Sequence, residues 1–249
     1  MRVWFLRTGT LTMDRGQVFW NAPGGSLVTI QAFGVLIEHD GGLLLADTGF
    51  DLVRARAALP FLEPSQTPDQ SIRSQIERCG FDVGDVGTIF NSHLHFDHSG
   101  GNRHFEHATV LVHERELRQA RDPATFEALA YADTSWDHAD ALIQPFVGDH
   151  QLAPGLRIYE TPGHSAGHCS LLIEPSTGTT PLLIGFDVAY TEIGFERGIQ
   201  PTMHIDPIAG QHSIQRVKDV ARTAGATVCV LHDPAAWAEL PSPPEAYEL

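Results

Sequence analysis

Cysteine is scarce in this chain: Cys79, Cys169 and Cys229 are its only three, widely separated, with no C-x-x-C pair among them. An odd, sparse set does not make a disulfide framework, and a reduced, cytoplasmic setting is expected. Lysine is scarcer still. Lys218 stands alone beside fifteen arginines, and the formal net charge is −15. Without clustered basic residues no nucleic acid or anionic membrane surface is an expected partner, and the charge reads as solubility and self-repulsion. Nor is there a run of about eighteen apolar residues to span a bilayer. The stretch MRVWFLRTGTLTMD lacks the apolar core of a signal peptide. A soluble, intracellular protein is expected.

What is present suits a globular fold. The 249 residues, 42% of them apolar, allow one large domain with a sizeable core. FGVLIEH (33–39) and GLLLADTG (42–49) read as strands joined by the hairpin signal Asp40-Gly41. Ile72 and Ile76, four apart, place a helix over about 69–79. VGTIFNSH, ATVLVHE (108–114), LRIYETPG (156–163), CSLLIEP, TPLLIGFDVA (180–189) and ATVCVLHD (226–233) read as further strands, with a helix over 211–223. The segment 116–149, richer in Ala, Asp and Arg, is expected to be a helical or irregular lid rather than sheet. The Pro-rich tail PSPPEAYEL should end the fold extended. Strands in both halves with helices between them point to an α/β fold of two packed sheets with helices outside, as a single domain over 1–249.

The chemistry is concentrated in SHLHFDHSGG, where His93, His95, Asp97 and His98 fall within six consecutive positions. Histidine rarely clusters for packing reasons. His93 and His95, two apart at a strand end, share a face, while Asp97 and His98 follow the turn. Three imidazoles and a carboxylate form a borderline-soft set that suits zinc and also accepts manganese, iron or cobalt. A catalytic site needs further ligands, and each of three later strands ends in one: His164 in TPGHSAGH, Asp187 in GFDVAY and His232 in VCVLHDP. His168, four residues beyond His164, is the best remaining histidine for orienting a ligand from outside the metal's own sphere.

This pattern of HxHxDH, a lone His, an Asp and a final His resembles the metallo-β-lactamase superfamily from end to end. The resemblance implies an αββα sandwich of two mixed sheets. It also implies two divalent metal ions, with zinc expected: one held by His93, His95 and His164, the other by Asp97, His98 and His232. Asp187 and a hydroxide would bridge them. Within the superfamily, SHLHFDHSGGN, TPGHSAGHCSLLIE and FDVAYT, with Tyr190 three residues after Asp187, are similar to the N-acyl homoserine lactonases. QVFWN, LIEHDGG and MHIDPIAG look more like 4-pyridoxolactonase, a relative that degrades vitamin B6. One departure is Phe186, where many relatives place Gly.

The implied activity is opening of a lactone ring, with acyl-homoserine lactones (quorum quenching) ahead of 4-pyridoxolactone. In that reaction the bridging hydroxide attacks the ester carbonyl, Tyr190 hydrogen-bonds the carbonyl oxygen, and Asp97 returns a proton to the leaving ring oxygen. Phe105 and Trp20 are candidate walls of the substrate pocket. Hydrolysis of another ester, a thioester or a phosphodiester on the same centre remains open, as does an inactive metal-binding scaffold. Acyl-chain preference, metal identity and oligomeric state (monomer or homodimer) are left open at this level.

Overall fold

Strand residues in this protein have an apolar layer to enter on both sides, which is why so many of its strands are unbroken apolar runs. A computed structural model describes residues 1–132, 136–137, 142–175 and 178–249. Among these, the strands are β1 (Arg2–Asp14), β2 (Leu27–His39), β3 (Gly42–Ala46), β4 (Val86–Phe90), β5 (Thr109–His113), β6 (Leu142–Phe146), β7 (His150–Ala153), β8 (Leu156–Glu160), β9 (Cys169–Ile173), β10 (Leu182–Ile184), β11 (Thr227–Cys229) and β12 (Tyr247–Glu248). The helices are α1 (Arg15–Val18), α2 (Leu52–Ala58), α3 (Ile72–Arg78), α4 (Phe96–Ser99), α5 (Glu114–Arg121), α6 (Glu192–Arg197) and α7 (Pro207–Ala224), with short 3-10 turns between them.

The first sheet has the order β12-β1-β2-β3-β4-β5-β6 and the second β11-β10-β9-β8-β7. Both are mixed: β3 to β6 run parallel, whereas β1, β2 and β3 are antiparallel neighbours. In the second sheet β8, β9 and β10 are antiparallel and β11 lies parallel to β10. Alternate side chains sort the layers. Phe33, Val35 and Ile37 of β2 enter the core between the sheets, where they join Leu171 and Ile173 of β9. Leu36, between them in sequence, instead faces Ile72 and Ile76 of α3. Leu172 faces Ile214 and Val217 of α7 on the other outer surface. A helix therefore covers each outer face, giving the expected αββα order.

The hairpin at Asp40-Gly41 forms as read, with His39 opposite Gly42. Several boundaries differ from the sequence reading. The strand expected over 180–189 is confined to Leu182–Ile184, because the chain then turns through a 3-10 segment at Phe186–Val188. The helix expected from 211 begins at Pro207, since Asp206 caps it by accepting from the backbone N–H groups of Ile208 and Ala209, with Pro207 in the first turn. The segment 116–149 is not free of sheet. Leu142–Phe146 forms the edge strand β6 in parallel with β5, and α5 occupies the segment's start. Its residues 133–135 and 138–141 lie outside the described set. The tail ends extended, pairing Tyr247 and Glu248 with β1 after a 3-10 turn at Pro234–Ala238. Among the described residues no helix is long and apolar enough to cross a membrane.

Candidate metal centre

Five strand ends deliver the site. β3 runs into Asp47, β4 into Ser92 and His93, β8 into Thr161 and His164, β10 into Asp187, and β11 into His232. The turn after β4 closes into the short helix α4, which carries Asp97 and His98. Two glycines let these turns approach neighbouring helices. Gly163 has φ +133°, and a Cβ there would lie 2.2 Å from the backbone N of Gly210 on α7. At Gly167 a Cβ would lie 2.3 Å from the backbone N of Glu116 on α5.

All seven expected ligands are buried, and they converge in three groups: His93 with His95 and His164, His93 with His98 and Asp187, and Asp97 with His98 and His232. Asp187 sits between the halves with one oxygen turned to each. Its Oδ1 lies 3.0 Å from His232 Nε2 and 3.2 Å from His98 Nε2. Its Oδ2 lies 3.2 Å from His164 Nε2 and 3.9 Å from His93 Nε2. Asp97 Oδ2 is 3.8 Å from His98 Nε2.

The donors fit a cation better than they fit one another. Nitrogen faces nitrogen at 3.0 Å between His164 Nε2 and His95 Nδ1, and at 3.3 Å between the Nε2 atoms of His98 and His232. Such lone pairs repel unless a proton or a cation lies between them. His93 Nε2 and Asp187 Oδ1 are buried and have no hydrogen-bond partner, a cost that native proteins rarely leave standing. Burial favours neutral imidazole at His93 and His95 and lowers His164 to about 3. At His98 burial again lowers the pKa, but Asp187, Asp97 and Asp47 together outweigh it and raise the net value. Burial likewise raises the Asp187 carboxyl, yet His232, His98 and His164 together bring it well below the usual range. The buried carboxylate thus draws positive charge into the pocket, which a divalent ion would supply without titrating.

Hydrogen bonds behind His93, His98 and His232 fix which nitrogen these rings present, as metal-binding histidines require. His98 Nδ1 contacts Asp47 Oδ2 at 2.7 Å, and His232 Nδ1 donates to the Gln31 carbonyl at 2.7 Å. Ser92 donates to Asp47 Oδ2 at 2.7 Å and receives His93 Nδ1 at 3.0 Å. His168 holds the loop of Asp187: its Nε2 accepts the Asp187 backbone N–H at 3.0 Å, while Nδ1 faces the Thr161 carbonyl at 2.9 Å. Burial keeps it neutral, with a pKa lowered to about 4.

Two residues beside the donors adopt left-handed backbone without being glycine: Asp47 (φ 58°) and Phe186 (φ 50°). Such strain costs about 1–3 kcal/mol. Phe186 offsets it by burying its ring against Phe33, 6.0 Å away, and Phe90, a gain of about 1.5–3 kcal/mol. Phenylalanine is therefore tolerable where a glycine would relax the turn.

Tyr190 is buried beside the donors, its ring 4.9 Å from that of His232 and 5.9 Å from that of His164. Burial, with Asp187 and Asp97 nearby, raises its pKa and keeps the phenol protonated. It lines a cavity of about 120 Å³ whose wall includes His95, Asp97, Phe96 and Leu62, and whose rim carries the exposed Phe61 and Phe126. A larger cavity, about 450 Å³ between Met1, His39, Gly155 and Glu174, shares no lining residue with the histidine cluster; the chemistry points to the smaller one.

Phe105 is not a pocket wall. Its ring is 1% exposed and packs with Trp4, Leu6 and Ile72 under the first sheet, because the 3-10 turn after Gly101 directs it into that layer. Trp20 is 41% exposed and stacks on His204 at 4.5 Å, and it does not line the cavity. Among the aromatics that do is Phe96, inside the HxHxDH motif itself. Sequence reasoning also missed Asp47, Gln31 and Glu116. Asp47 had a signal, since in LLLADTG an acid follows an apolar strand much as Asp187 does.

Comparison with known proteins gives a consistent picture. The family model of the metallo-β-lactamase superfamily matches residues 29–177. The N-acyl homoserine lactonase AttM of Rhizobium radiobacter is 31% identical over 99% of this chain and 98% of its own. An N-acyl homoserine lactonase of Bacillus cereus is 30% identical over 93% of each chain. A solved N-acyl homoserine lactone hydrolase, with the product N-hexanoyl-L-homoserine bound at its catalytic metal centre, superposes with a TM-score of 0.86 at 27% identity, over 99% of this chain and 98% of that one.

Proposed function

Since the chain belongs to the metallo-β-lactamase superfamily, we propose that it is a metal-dependent lactonase that hydrolyses N-acyl homoserine lactones. The observation that carries this reading is the split of Asp187, one carboxylate oxygen turned to His98 and His232 and the other to His93 and His164. His93, His95 and His164 would hold one ion, Asp97, His98 and His232 a second, with Asp187 shared. Two divalent ions, zinc in our reading, would polarise the ester carbonyl and make water nucleophilic at neutral pH.

The chain's own groups do the rest. The protonated Tyr190 hydroxyl donates to the carbonyl oxygen and strengthens that bond as negative charge grows there. Asp97, on the cavity wall, would take up the proton released by the attacking water and return it to the departing ring oxygen. The walls Leu62 and Phe96 and the rim residues Phe61 and Phe126 suit an acyl chain, and each buried methylene adds about 0.8 kcal/mol to binding. A cytoplasmic location belongs to the same reading, since such substrates are small enough to reach the enzyme there.

A panel of acyl-homoserine lactones of increasing chain length, with 4-pyridoxolactone, a thioester and a phosphodiester, tests the reading on protein whose metal content is measured in the same sample. Turnover of the acyl-homoserine lactones that rises with metal content is the expected result. Preference for 4-pyridoxolactone would transfer the activity to the vitamin-B6 branch, and a two-metal protein that opens no lactone would sink it.

A further inference from the structure

Glu116 belongs to neither the donor set nor the cavity, yet it is fully buried. Its carboxylate accepts four hydrogen bonds. Oε1 receives the Leu94 backbone N–H at 2.9 Å and the Tyr131 hydroxyl at 3.0 Å. Oε2 receives the Ser165 hydroxyl at 2.6 Å and the Gly167 backbone N–H at 3.0 Å. Leu94 lies between His93 and His95, and Ser165 follows His164. The Tyr131 ring, hung from the same carboxylate, stands edge-on to His95 with centroids 4.8 Å apart. Gly167 closes the arrangement, since a side chain there would collide with the first turn of α5.

We infer that Glu116 is a positioning residue for one half of the metal centre: it clamps the loop of His93 and His95 to the loop of His164. The inference rests on the two-metal reading above. Each carboxylate oxygen meets one backbone N–H and one hydroxyl. Glutamine has the same volume but a single acceptor oxygen. Whichever way its amide is turned, the NH₂ group faces a backbone N–H, either Leu94 or Gly167. A hydroxyl can rotate to accept from NH₂, but a backbone N–H cannot. One of the two loops must therefore lose its anchor. None of the four hydrogen bonds of this carboxylate goes to Asp97, His98 or His232, the donors of the other half.

The test is a stepwise zinc titration of metal-free wild type and Glu116→Gln against a competing chelator, with thermal unfolding of the metal-free proteins alongside. Wild type should bind two equivalents. The variant should keep one at wild-type affinity and bind the other about 10- to 100-fold more weakly, the range for partners that orient a metal ligand. Ser165→Ala, which removes one donor and leaves the carboxylate, should weaken the same equivalent by about 10-fold or less; it serves if Glu116→Gln does not fold. Two equivalents of unchanged affinity, whatever the unfolding temperature, would overturn the inference, as would parallel loss of both. A wild type that binds fewer than two ions would remove it together with the two-metal reading. A wild type that binds two ions but opens no lactone would defeat the substrate assignment alone.

Discussion

Asp47 and Glu116 are both buried carboxylates one step behind the candidate metal donors, and they are placed differently. Asp47 acts mainly on rings, although its Oδ1 also accepts the Ser92 backbone N–H at 2.8 Å. It contacts His98 directly and His93 through Ser92, so it reaches a donor in each half of the centre. Glu116 touches no donor side chain and acts on the backbone of two loops that carry donors of one half. A carboxylate against an imidazole sets tautomer and basicity, whereas a carboxylate against N–H groups sets where the loop lies. The same residue class thus reaches the rings themselves in one place, with one loop anchor beside them, and only the loops in the other.

The largest effect on this contrast should come from the residue both halves share. Asp187→Ala should lose both ions to a chelator and reduce lactone turnover by more than the ~100-fold upper range for an outer partner, as metal analysis and turnover on one sample would show. Next is Asp47→Asn, which should weaken both zinc equivalents in the same titration, the one held by His98 by about 10- to 100-fold. If only one equivalent responds, the distinction between ring-acting and loop-acting carboxylates fails. Tyr190→Phe touches neither brace. Two zinc ions should remain while turnover falls by up to ~100-fold, near the lower range for loss of a single oxyanion donor. Unchanged kinetics would remove the hydroxyl from the reaction.

The smallest effect concerns acidity on the Glu116 side. His113 caps α5, its Nδ1 accepting the Arg115 backbone N–H at 3.1 Å. Burial lowers its pKa, only partly countered by Glu160. Above the unfolded value of about 6.5 both states are neutral and its contribution to stability is complete. As the pH falls below that value the unfolded chain takes up the proton first, so stability declines. Urea unfolding of the metal-free protein between pH 7 and 5 should show this slope together with that of the other buried histidines, and His113→Gln should reduce it by its own share. An equal slope in the variant would exclude His113.

The parts of this centre visible in the sequence were those whose residue type has few other uses. HLHFDH, packed with imidazole, and the ligand-type residues after TPG, TPLLIGF and VCVL are conspicuous because strand ends seldom carry them. Asp47 and Glu116 were obscure for the opposite reason, since a single acid after a strand or in the first helical turn has many ordinary roles. Phe105 misled because an aromatic beside a Gly-Gly turn does not declare which face of the sheet it will enter; Phe96, only three residues after His93, took the pocket. The extra turn of α7 was readable from Asp206-Pro207, a cap and a first-turn proline, but periodicity alone began the helix too late. The edge strand β6 lies in a stretch with little apolar alternation, and it is sheet because β5 offers it a partner.

The sequence by itself determined the chemistry of the donors and the two-sided apolar character of the strands, because both are properties of residues and their immediate spacing. Tertiary structure alone decided that Asp187 would turn one oxygen to each half, that Glu116 would meet residues 22 and 51 positions away, and that Phe105 would be core. Those outcomes depend on how two sheets built from distant segments pack, and proximity of that kind is fixed only when the whole core closes.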